Sequence, residues 1–391
     1  MTVLHYLPRL LRPTPIRRAA FCAAMVGLLA NPLAGPLAST TAWALHMPKV
    51  AELGPSALTP FMQSDKQVWD AILPLPDGRM LFEAPAWVGN TGPQLYARAP
   101  DGTLAPWPDA AWNATQGDAA TRIVSAGGLV RAASGSVWVL DNGVPDHAKP
   151  PVAPPKLLEI DPAQNKVLRS IPIEASALRP GSILSGVAVH DKTAYVADSG
   201  VGAVIVVDLA AGMSRRFLDH HPALVATRPI VTPAGPLHDA SGRLAALDAS
   251  MIAVSPDGSW IVVQPPSGYL SRIATSLFFD PDVTPAAFEE GVTQWFKTPT
   301  LGGMAIDSDG TLYWADVTTG SILSYTTGRI PRRLITDPRL TWPTTPGLDE
   351  HGHLFVSASQ IDHTTAFGGA QSVTWPVTVY EMTLPTTPPP Q

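Results

Sequence analysis

The sequence has almost no cysteine, since Cys22 is the only one among its 391 residues. Cys22 lies near the N-terminus, within a segment that has the features of an export signal, and before the main apolar run of that segment. This position does not support a lipoprotein anchor. If the segment is removed, the mature protein has no cysteine, and disulfides, thiolate catalysis and cysteine-ligated zinc are excluded.

Charge is also scarce. Charged residues make up 15% of the sequence, the formal net charge is −6, and there is no long basic run. These features argue against nucleic acid as a partner. Hydrophobic residues make up 45%, which supplies a core and excludes a disordered chain. The 42 prolines and 31 glycines are spread along the chain and indicate many turns between short strands.

The first 44 residues have the order of regions typical of an export signal. Arginines from Arg9 to Arg18 precede an apolar stretch over residues 19–38, and Ala42-Trp43-Ala44 is a small-x-small cleavage site. We therefore expect an export signal over residues 1–44, a periplasmic or secreted mature protein, and no stable membrane insertion after cleavage. The alternative is an uncleaved membrane anchor, which Pro32, Pro36 and the short apolar stretch disfavour.

One pattern recurs six times: an apolar stretch, a turn with Asp, Pro or Gly, and a second apolar stretch rich in aromatic and β-branched residues. The turns fall at positions 78, 135, 192, 258, 310 and 352. Asp-Gly supplies the positive φ of tight hairpins, and a hairpin repeat of this length indicates a propeller. The sequence predicts an all-β fold over residues 45–391: a six-bladed β-propeller of four-stranded antiparallel blades, closed by a strand from residues 47–62.

Several repeats contain more specific motifs. They are residues 137–143 (VWVLDNG), 194–199 (AYVADS), 203–209 (AVIVVDL), 303–310 (GMAIDSDG), and 340–343 (LTWP) with 357–361 (SASQI). In this order they resemble the Yellow/major royal jelly protein family, over about residues 124–361. The resemblance implies a propeller and bacterial relatives described as dopachrome-tautomerase-related. Because the family includes ligand-binding proteins and a few members credited with dopachrome conversion, it leaves enzyme and binder open.

The register of the repeat predicts which residues start the innermost strand of each blade and surround the mouth of the central channel. Eight residues before each turn, with a one-residue slip in the third blade, these are Asp70, Gly127, Ser185, Ser250, Gly302 and Thr344. The more distantly similar gluconolactonase-like propellers bind a divalent cation through Glu, Asn and Asp at such positions. Here Gly302 and Ser185 replace the Asp and the Asn, and Asp70 is the only carboxylate. We therefore expect no metal and no cofactor, with a weakly bound calcium as the alternative.

The same register gives the candidate ligand-binding residues. The resemblance places polar ligand contacts at Thr344, Thr345 and Ser359, and Trp342 is one of several aromatic residues near blade ends. The full set is Asp70, Ser185, Ser250, Thr344, Thr345, Ser359 and Trp342. Asp70 is also the candidate catalytic acid or base, since a lone carboxylate transfers protons when its pKa is raised.

A second ring lies six residues after each turn, at Ala84, Asp141, Asp198, Gln264, Asp316 and Ala358. Three aspartates at equivalent positions suggest either a site or structural caps at the strand ends. The turn-like contexts Asp141-Asn142-Gly143 and Asp198-Ser199-Gly200 favour caps.

Three functions remain open from the sequence. The first is an exported monomer that binds a small organic molecule at the channel mouth without a catalytic metal. The second is a tautomerase- or gluconolactonase-like enzyme that uses Asp70. The third is a scaffold for another exported protein. A serine hydrolase is not supported, because no Gly-x-Ser-x-Gly motif is present.

Overall fold

Six four-stranded antiparallel sheets are arranged in a ring, which confirms the predicted six-bladed β-propeller. The computed structural model describes residues 52–147, 149–367 and 371–385. The predicted export signal over residues 1–44, its cleavage site and Cys22 lie outside the described residues.

The strands of the first three blades follow one another along the chain. Blade 1 contains β2 (Ile72–Pro74), β3 (Met80–Glu83), β4 (Leu95–Arg98) and β5 (Leu104–Pro106). Blade 2 contains β6 (Ala126–Arg131), β7 (Val137–Asp141), β8 (Lys156–Asp161) and β9 (Lys166–Pro172). Blade 3 contains β10 (Leu184–His190), β11 (Thr193–Asp198), β12 (Ala203–Asp208) and β13 (Met213–Phe217).

A short hairpin of β14 (Val231–Thr232) and β15 (Gly235–Pro236) separates blades 3 and 4. Blade 4 contains β16 (Met251–Val254), β17 (Trp260–Gln264), β18 (Leu270–Ala274) and β19 (Thr293–Phe296). Blade 5 contains β20 (Leu301–Ile306), β21 (Leu312–Asp316), β22 (Ser321–Tyr325) and β23 (Pro331–Thr336). Blade 6 contains β24 (Gly347–Leu348), β25 (His353–Ser357), β26 (Val377–Thr383) and β1 (Thr59–Ser64).

Helical segments are short and lie before or between the strands. The α-helix α1 (Pro285–Glu290) has proline in its first turn, and the Thr284 hydroxyl accepts a hydrogen bond from the Ala287 N–H at 3.2 Å. The 3₁₀ turns are Pro55–Ala57, Ala86–Val88, Ala119–Thr121, Ala175–Ala177, Thr275–Phe278, Ile361–His363 and Thr365–Phe367. No helix in the described part of the chain is long and apolar enough to cross a membrane.

The six repeats of the sequence form the first two strands of the six blades, as predicted. Gly78 and Gly258 adopt φ of 82° and 70° in their turns, the left-handed conformation for which glycine carries no steric cost. Blade 3 has no glycine there, and Asp191 takes φ of 50° instead. The second strands are almost wholly buried. The apolar residues of neighbouring blades therefore pack against one another to form the core.

The aspartates at the strand ends serve as structural caps, as their sequence context favours. Asp141 accepts hydrogen bonds from three backbone N–H groups and pairs with the buried Lys156 ammonium at 2.5 Å. Asp198 accepts from the Ile183 N–H and two further N–H groups, and pairs with Arg216 at 2.8 Å. Asp316 accepts from the N–H groups of the turn that follows it. These three carboxylates are saturated by the chain itself and do not line the channel.

The ring closes between its two chain ends. Strand β1 pairs antiparallel with β26, with Thr59 opposite Glu381 and Ser64 opposite Val377. The prediction of a closing strand within residues 47–62 is confirmed, although β1 extends two residues further. Phe61 fixes this strand by packing edge-to-face on Phe355, with ring centroids 4.9 Å apart.

We predict that Phe61→Ala lowers the free energy of unfolding by about 2 kcal/mol, below the cost of truncating a fully buried phenylalanine because Phe61 is half-buried. Gln63→Ala, an exposed position on the same strand whose amide donates one hydrogen bond to the Thr378 hydroxyl at 3.3 Å, is the matched control and should cost less than about 1 kcal/mol. Urea denaturation of the mature chain followed by tryptophan fluorescence measures both. Equal effects would show that β1 does not close the ring through Phe61.

Candidate functional site

A cavity of about 350 Å³ follows the central channel. It is lined by residues of the innermost strands of all six blades, β2, β6, β10, β16, β20 and β24. At the end where these strands begin, loop residues enclose it: Trp87, His147, Ile230, Trp342, Ile361 and Phe367. The cavity exists because the strands meet around an axis without filling it.

The predicted register of the inner strands agrees with the cavity lining in five blades. Asp70, Gly127, Ser185, Ser250 and Gly302 all line the cavity. In blade 6, Thr345 lines it and Thr344 does not. Of the seven predicted ligand-binding residues, five therefore meet at one cavity: Asp70, Ser185, Ser250, Trp342 and Thr345. Their contact with a ligand stays a prediction.

Thr344 and Ser359 lie behind the cavity wall. Both are fully buried, their hydroxyl oxygens are 3.1 Å apart, and both hydroxyls donate to the carbonyl oxygen of Trp69. They therefore hold the residue before Asp70. The Thr345 N–H donates to the Asp70 carbonyl at 3.1 Å, so the backbone of Asp70 is fixed from blade 6.

A second carboxylate, Glu83, lies beside Asp70 in the cavity wall. The Asp70 N–H donates to the Glu83 carbonyl at 2.9 Å, and the Glu83 N–H donates to the Ala71 carbonyl at 2.9 Å, so the two residues are held at adjacent positions of the β2–β3 ladder. Glu83 is 1% exposed, and neither of its carboxylate oxygens has a hydrogen-bond partner of normal geometry among the described residues. The described part of the chain places no Lys or Arg in an ion pair with either carboxylate.

Burial makes both carboxyl groups weak acids. It raises the pKa of Asp70 to about 7. Burial also raises the pKa of Glu83 well above its usual range, the negative charge of Asp70 raises it further, and the nearby N–H of Gly128 lowers it in part. Asp70 retains some accessible surface on the cavity, whereas Glu83 has almost none. The pair therefore holds at least one proton at neutral pH.

Sequence reasoning missed Glu83, because the repeat register directs attention to Ala84 in the second ring. Glu83 ends the otherwise apolar strand β3, opposite the segment that contains Asp70. Strands β7, β11 and β21 also end in a carboxylate, so this position alone does not distinguish Glu83 in the sequence.

Aromatic side chains form one wall of the cavity. Trp87 and His147 stack with ring centroids 5.1 Å apart and an interplanar angle of 12°. Burial lowers the pKa of His147 to about 4, so the imidazole is neutral at physiological pH. Trp342 adopts φ of 48°, a conformation that costs a non-glycine residue about 1–2 kcal/mol. Its indole packs against Phe367 at 5.8 Å. Backbone strain is thus tolerated at a residue that shapes the cavity.

The donor set does not fit a calcium ion. Calcium takes roughly six to eight oxygen ligands, and no cluster of three or more His, Cys, Asp or Glu side chains in the described ranges has a metal-binding arrangement. A Cβ atom at Gly302 would lie 2.0 Å from the carbonyl oxygen of Pro343, so an aspartate does not fit there without a backbone shift. The expected lack of a metal remains a prediction.

Comparison with known proteins agrees with this description. The family model "Major royal jelly protein" matches residues 124–232, which contain blades 2 and 3. This confirms the predicted resemblance over that stretch, which is less than half of the chain. No curated protein matches the chain in sequence.

Solved structures with the same fold include several enzymes. A gluconolactonase from Xanthomonas campestris has 12% identity and a TM-score of 0.51, and the match covers 86% of this chain and 100% of that one. A luciferin-regenerating enzyme has 10% identity and a TM-score of 0.52, with 83% and 94% covered. A calcium-binding protein, regucalcin from Agrobacterium tumefaciens, has 13% identity and a TM-score of 0.48, with 83% and 91% covered. Identities this low establish the propeller fold alone.

The carboxylate pair predicts a pH dependence of stability. Asp70 and Glu83 retain protons in the folded state that the unfolded chain releases near its ordinary pKa values of 3.8 and 4.5. Because the folded state binds more protons above about pH 4, the free energy of unfolding falls as pH rises, up to and beyond the Asp70 pKa of about 7. We expect Glu83→Gln to remove part of this loss of stability at high pH and to raise Tm by about 2–5 °C at pH 8.

Thermal denaturation of the wild type and the variant from pH 5 to pH 9 measures this effect. His147 gives the opposite slope between its pKa of about 4 and its ordinary value of 6.5, and it contributes equally to both proteins. Asp101→Asn, an exposed carboxylate of blade 1, is the control and should leave the slope above pH 5 unchanged. Identical slopes for Glu83→Gln and the wild type would show that Glu83 is ionised.

Proposed function

We propose that this chain is an exported propeller that binds a small organic molecule in its channel cavity, without a catalytic metal. The observation that carries this proposal is the cavity of about 350 Å³ bounded by all six blades. Small-molecule sites have volumes of roughly 300–1,000 Å³ and are mostly apolar with a few polar groups. This cavity has that character, with Asp70, Glu83, Ser185 and Ser250 as polar groups among apolar lining residues.

The lining favours an amphipathic ligand with a flat apolar part. Trp87, stacked on neutral His147, and Trp342 offer faces and edges for an aromatic ring. Asp70 offers a hydrogen-bond acceptor that faces the cavity. The ligand therefore combines an aromatic or similarly apolar body with a head group that donates hydrogen bonds, such as an amine or a hydroxyl.

The charge of the cavity disfavours anionic ligands. The other titratable side chains of its lining are His147, which is neutral, and Arg131, whose guanidinium pairs with Glu350 at 3.0 Å at the opposite end of the inner strands. An anion would meet two carboxyl groups, and it would have to suppress the ionisation of Asp70. We therefore expect neutral and cationic ligands to bind in preference to anionic ones.

A matched pair of probes tests this preference. Tyramine and 4-hydroxyphenylpropanoate share an aromatic body and differ in the sign of the head-group charge. We expect tyramine to raise Tm at pH 7.5 and the carboxylate to leave it unchanged, because only the amine complements ionised Asp70. Thermal shift measured with increasing ligand gives the comparison. A larger shift with the carboxylate would contradict the proposal.

Two adjacent threonines test whether the ligand binds in the cavity. Thr345→Val removes a hydroxyl that lines the cavity and should weaken tyramine binding about 3- to 10-fold, as expected for one lost hydrogen bond. Thr344→Val removes a hydroxyl that bonds the Trp69 carbonyl and should lower Tm more than it lowers affinity. Isothermal titration calorimetry measures affinity for both variants. Unchanged affinity in Thr345→Val, with weakened binding in Thr344→Val, would place the ligand elsewhere.

A further inference from the structure

We propose that the ligand of this cavity carries an aliphatic chain, which occupies the part of the channel between Asp70 and the hairpin turns. The proposal rests on the proposed function, because the head of the ligand must first bind where the inner strands begin. It deepens that function by assigning a separate subsite to the tail of the ligand. We call this part of the channel the aliphatic section. Its lining includes one aliphatic side chain from each blade, four or five residues before the turn: Leu73, Val130, Ala188, Val254, Ile306 and Leu348.

The lining changes in character along the channel. Where the inner strands begin, Asp70, Ser185, Ser250 and Thr345 bring side-chain oxygen atoms to the cavity. The six side chains of the aliphatic section have no polar atom, and five of them retain accessible surface. An apolar side chain that stays accessible favours an apolar occupant, because covering it removes hydrocarbon from water. The two parts of the channel therefore select different parts of one amphipathic molecule.

The blades hold the aliphatic section in shape. Its side chains also contact the apolar clusters between neighbouring blades. Leu73 packs between blades 1 and 2, Val254 between blades 3 and 4, and Ile306 between blades 4 and 5. A preformed apolar wall does not have to be ordered when a chain binds, so little of the free energy of binding is lost to rearrangement.

The aliphatic section is continuous with the site of the head group, because one cavity of about 350 Å³ includes both the section and Asp70. Leu73 follows Asp70 by three residues, and three residues of a strand span about 10 Å. An extended octyl chain has about this length. Tyramine ends at Asp70 and leaves the section without an occupant. A tail on its nitrogen points toward the turns when the phenol ring lies against Trp87 and Trp342.

An ion pair lies at the far end of the aliphatic section. Arg131, the last residue of β6, pairs with Glu350 at 3.0 Å, and the two side chains are 33% and 67% exposed. The pair connects blades 2 and 6, which both contact blade 1. A tail that extends past Val130 meets these charges and the solvent around them, so further methylene groups gain little from burial. The ion pair therefore limits the tail to about the length of an octyl chain.

The first test is a chain-length series of tyramine and its N-butyl, N-hexyl, N-octyl and N-dodecyl derivatives, which share one aryl group and one ammonium charge. From butyl to octyl we expect affinity to rise about 3- to 4-fold for each methylene group, as full burial of hydrocarbon gives, and from octyl to dodecyl by less than about 3-fold in total. Isothermal titration calorimetry at pH 7.5, below each critical micelle concentration, measures the affinities for the mature full-length propeller. A gain that continues undiminished to dodecyl would contradict a subsite that ends at Arg131.

The second test fills the aliphatic section. Ala305 lines the cavity next to Ile306 and retains accessible surface, so Ala305→Leu places a larger side chain in the section. We expect this variant to bind N-octyltyramine at least about 10-fold more weakly and tyramine with nearly wild-type affinity. Ala105→Leu, the same change at an exposed position on the outermost strand of blade 1, is the matched control and should bind both compounds like the wild type. Wild-type affinity of Ala305→Leu for N-octyltyramine would place the tail outside this section.

A third test changes the polarity of the section and keeps its volume. Val254→Thr replaces one methyl group by a hydroxyl, which a hydrocarbon tail leaves without a hydrogen-bond partner. We expect about 3- to 10-fold weaker binding of N-octyltyramine and unchanged binding of tyramine. Calorimetry of this variant also serves if Ala305→Leu does not fold.

Tyramine separates the failure of this proposal from the failure of the proposed function. Binding of tyramine with an affinity that the N-butyl to N-octyl derivatives do not exceed overturns the aliphatic section and leaves the binding function intact. Lack of binding by tyramine and by every N-alkyl derivative overturns the binding function itself.

Discussion

Closure of the ring is the constraint on which the rest of this structure depends. A cavity bounded by six inner strands exists only while all six blades stay in place, and blade 6 is completed by a strand, β1, from the other end of the described chain. The same junction fixes Asp70, because the Thr345 N–H reaches its carbonyl and the Thr344 and Ser359 hydroxyls hold the preceding carbonyl. The contacts that close the propeller thus also position Asp70 at the cavity.

The repeat in the sequence is enough to predict most of the fold. Hairpin turns that need positive φ recur in every blade, and each turn sets the register of the strand before it, so the inner positions Asp70, Gly127 and Ser250 follow by counting back from the turn. Counting back from the turn does not give the cavity-lining residue where the start of the inner strand is irregular. In blade 6, β24 has only two residues and is preceded by Trp342 in a left-handed conformation, and the cavity position shifts from Thr344 to Thr345.

Glu83 was beyond the reach of the same reasoning for a different reason. A sequence does not reveal which buried carboxylates the folded chain supplies with ion-pair and N–H partners. Asp141, Asp198 and Asp316 look like a site in the sequence but are consumed by N–H groups and, for the first two, by Lys156 and Arg216. Asp70 and Glu83 are instead the carboxylates that tertiary structure places at the cavity, with the Gly128 N–H near Glu83.

The close approach of blades 5 and 6 at Gly302 restricts which substitutions the cavity wall accepts. A side chain at this position meets the Pro343 carbonyl at 2.0 Å, and one at Gly303 meets the Thr345 backbone at 2.2 Å. A carboxylate side chain at either position therefore requires the backbone of blade 6 to shift, which disfavours a metal ligand there. We therefore expect substitutions that change the cavity lining to be tolerated better at positions that already carry a side chain, such as Ser185 and Ser250, than at Gly302.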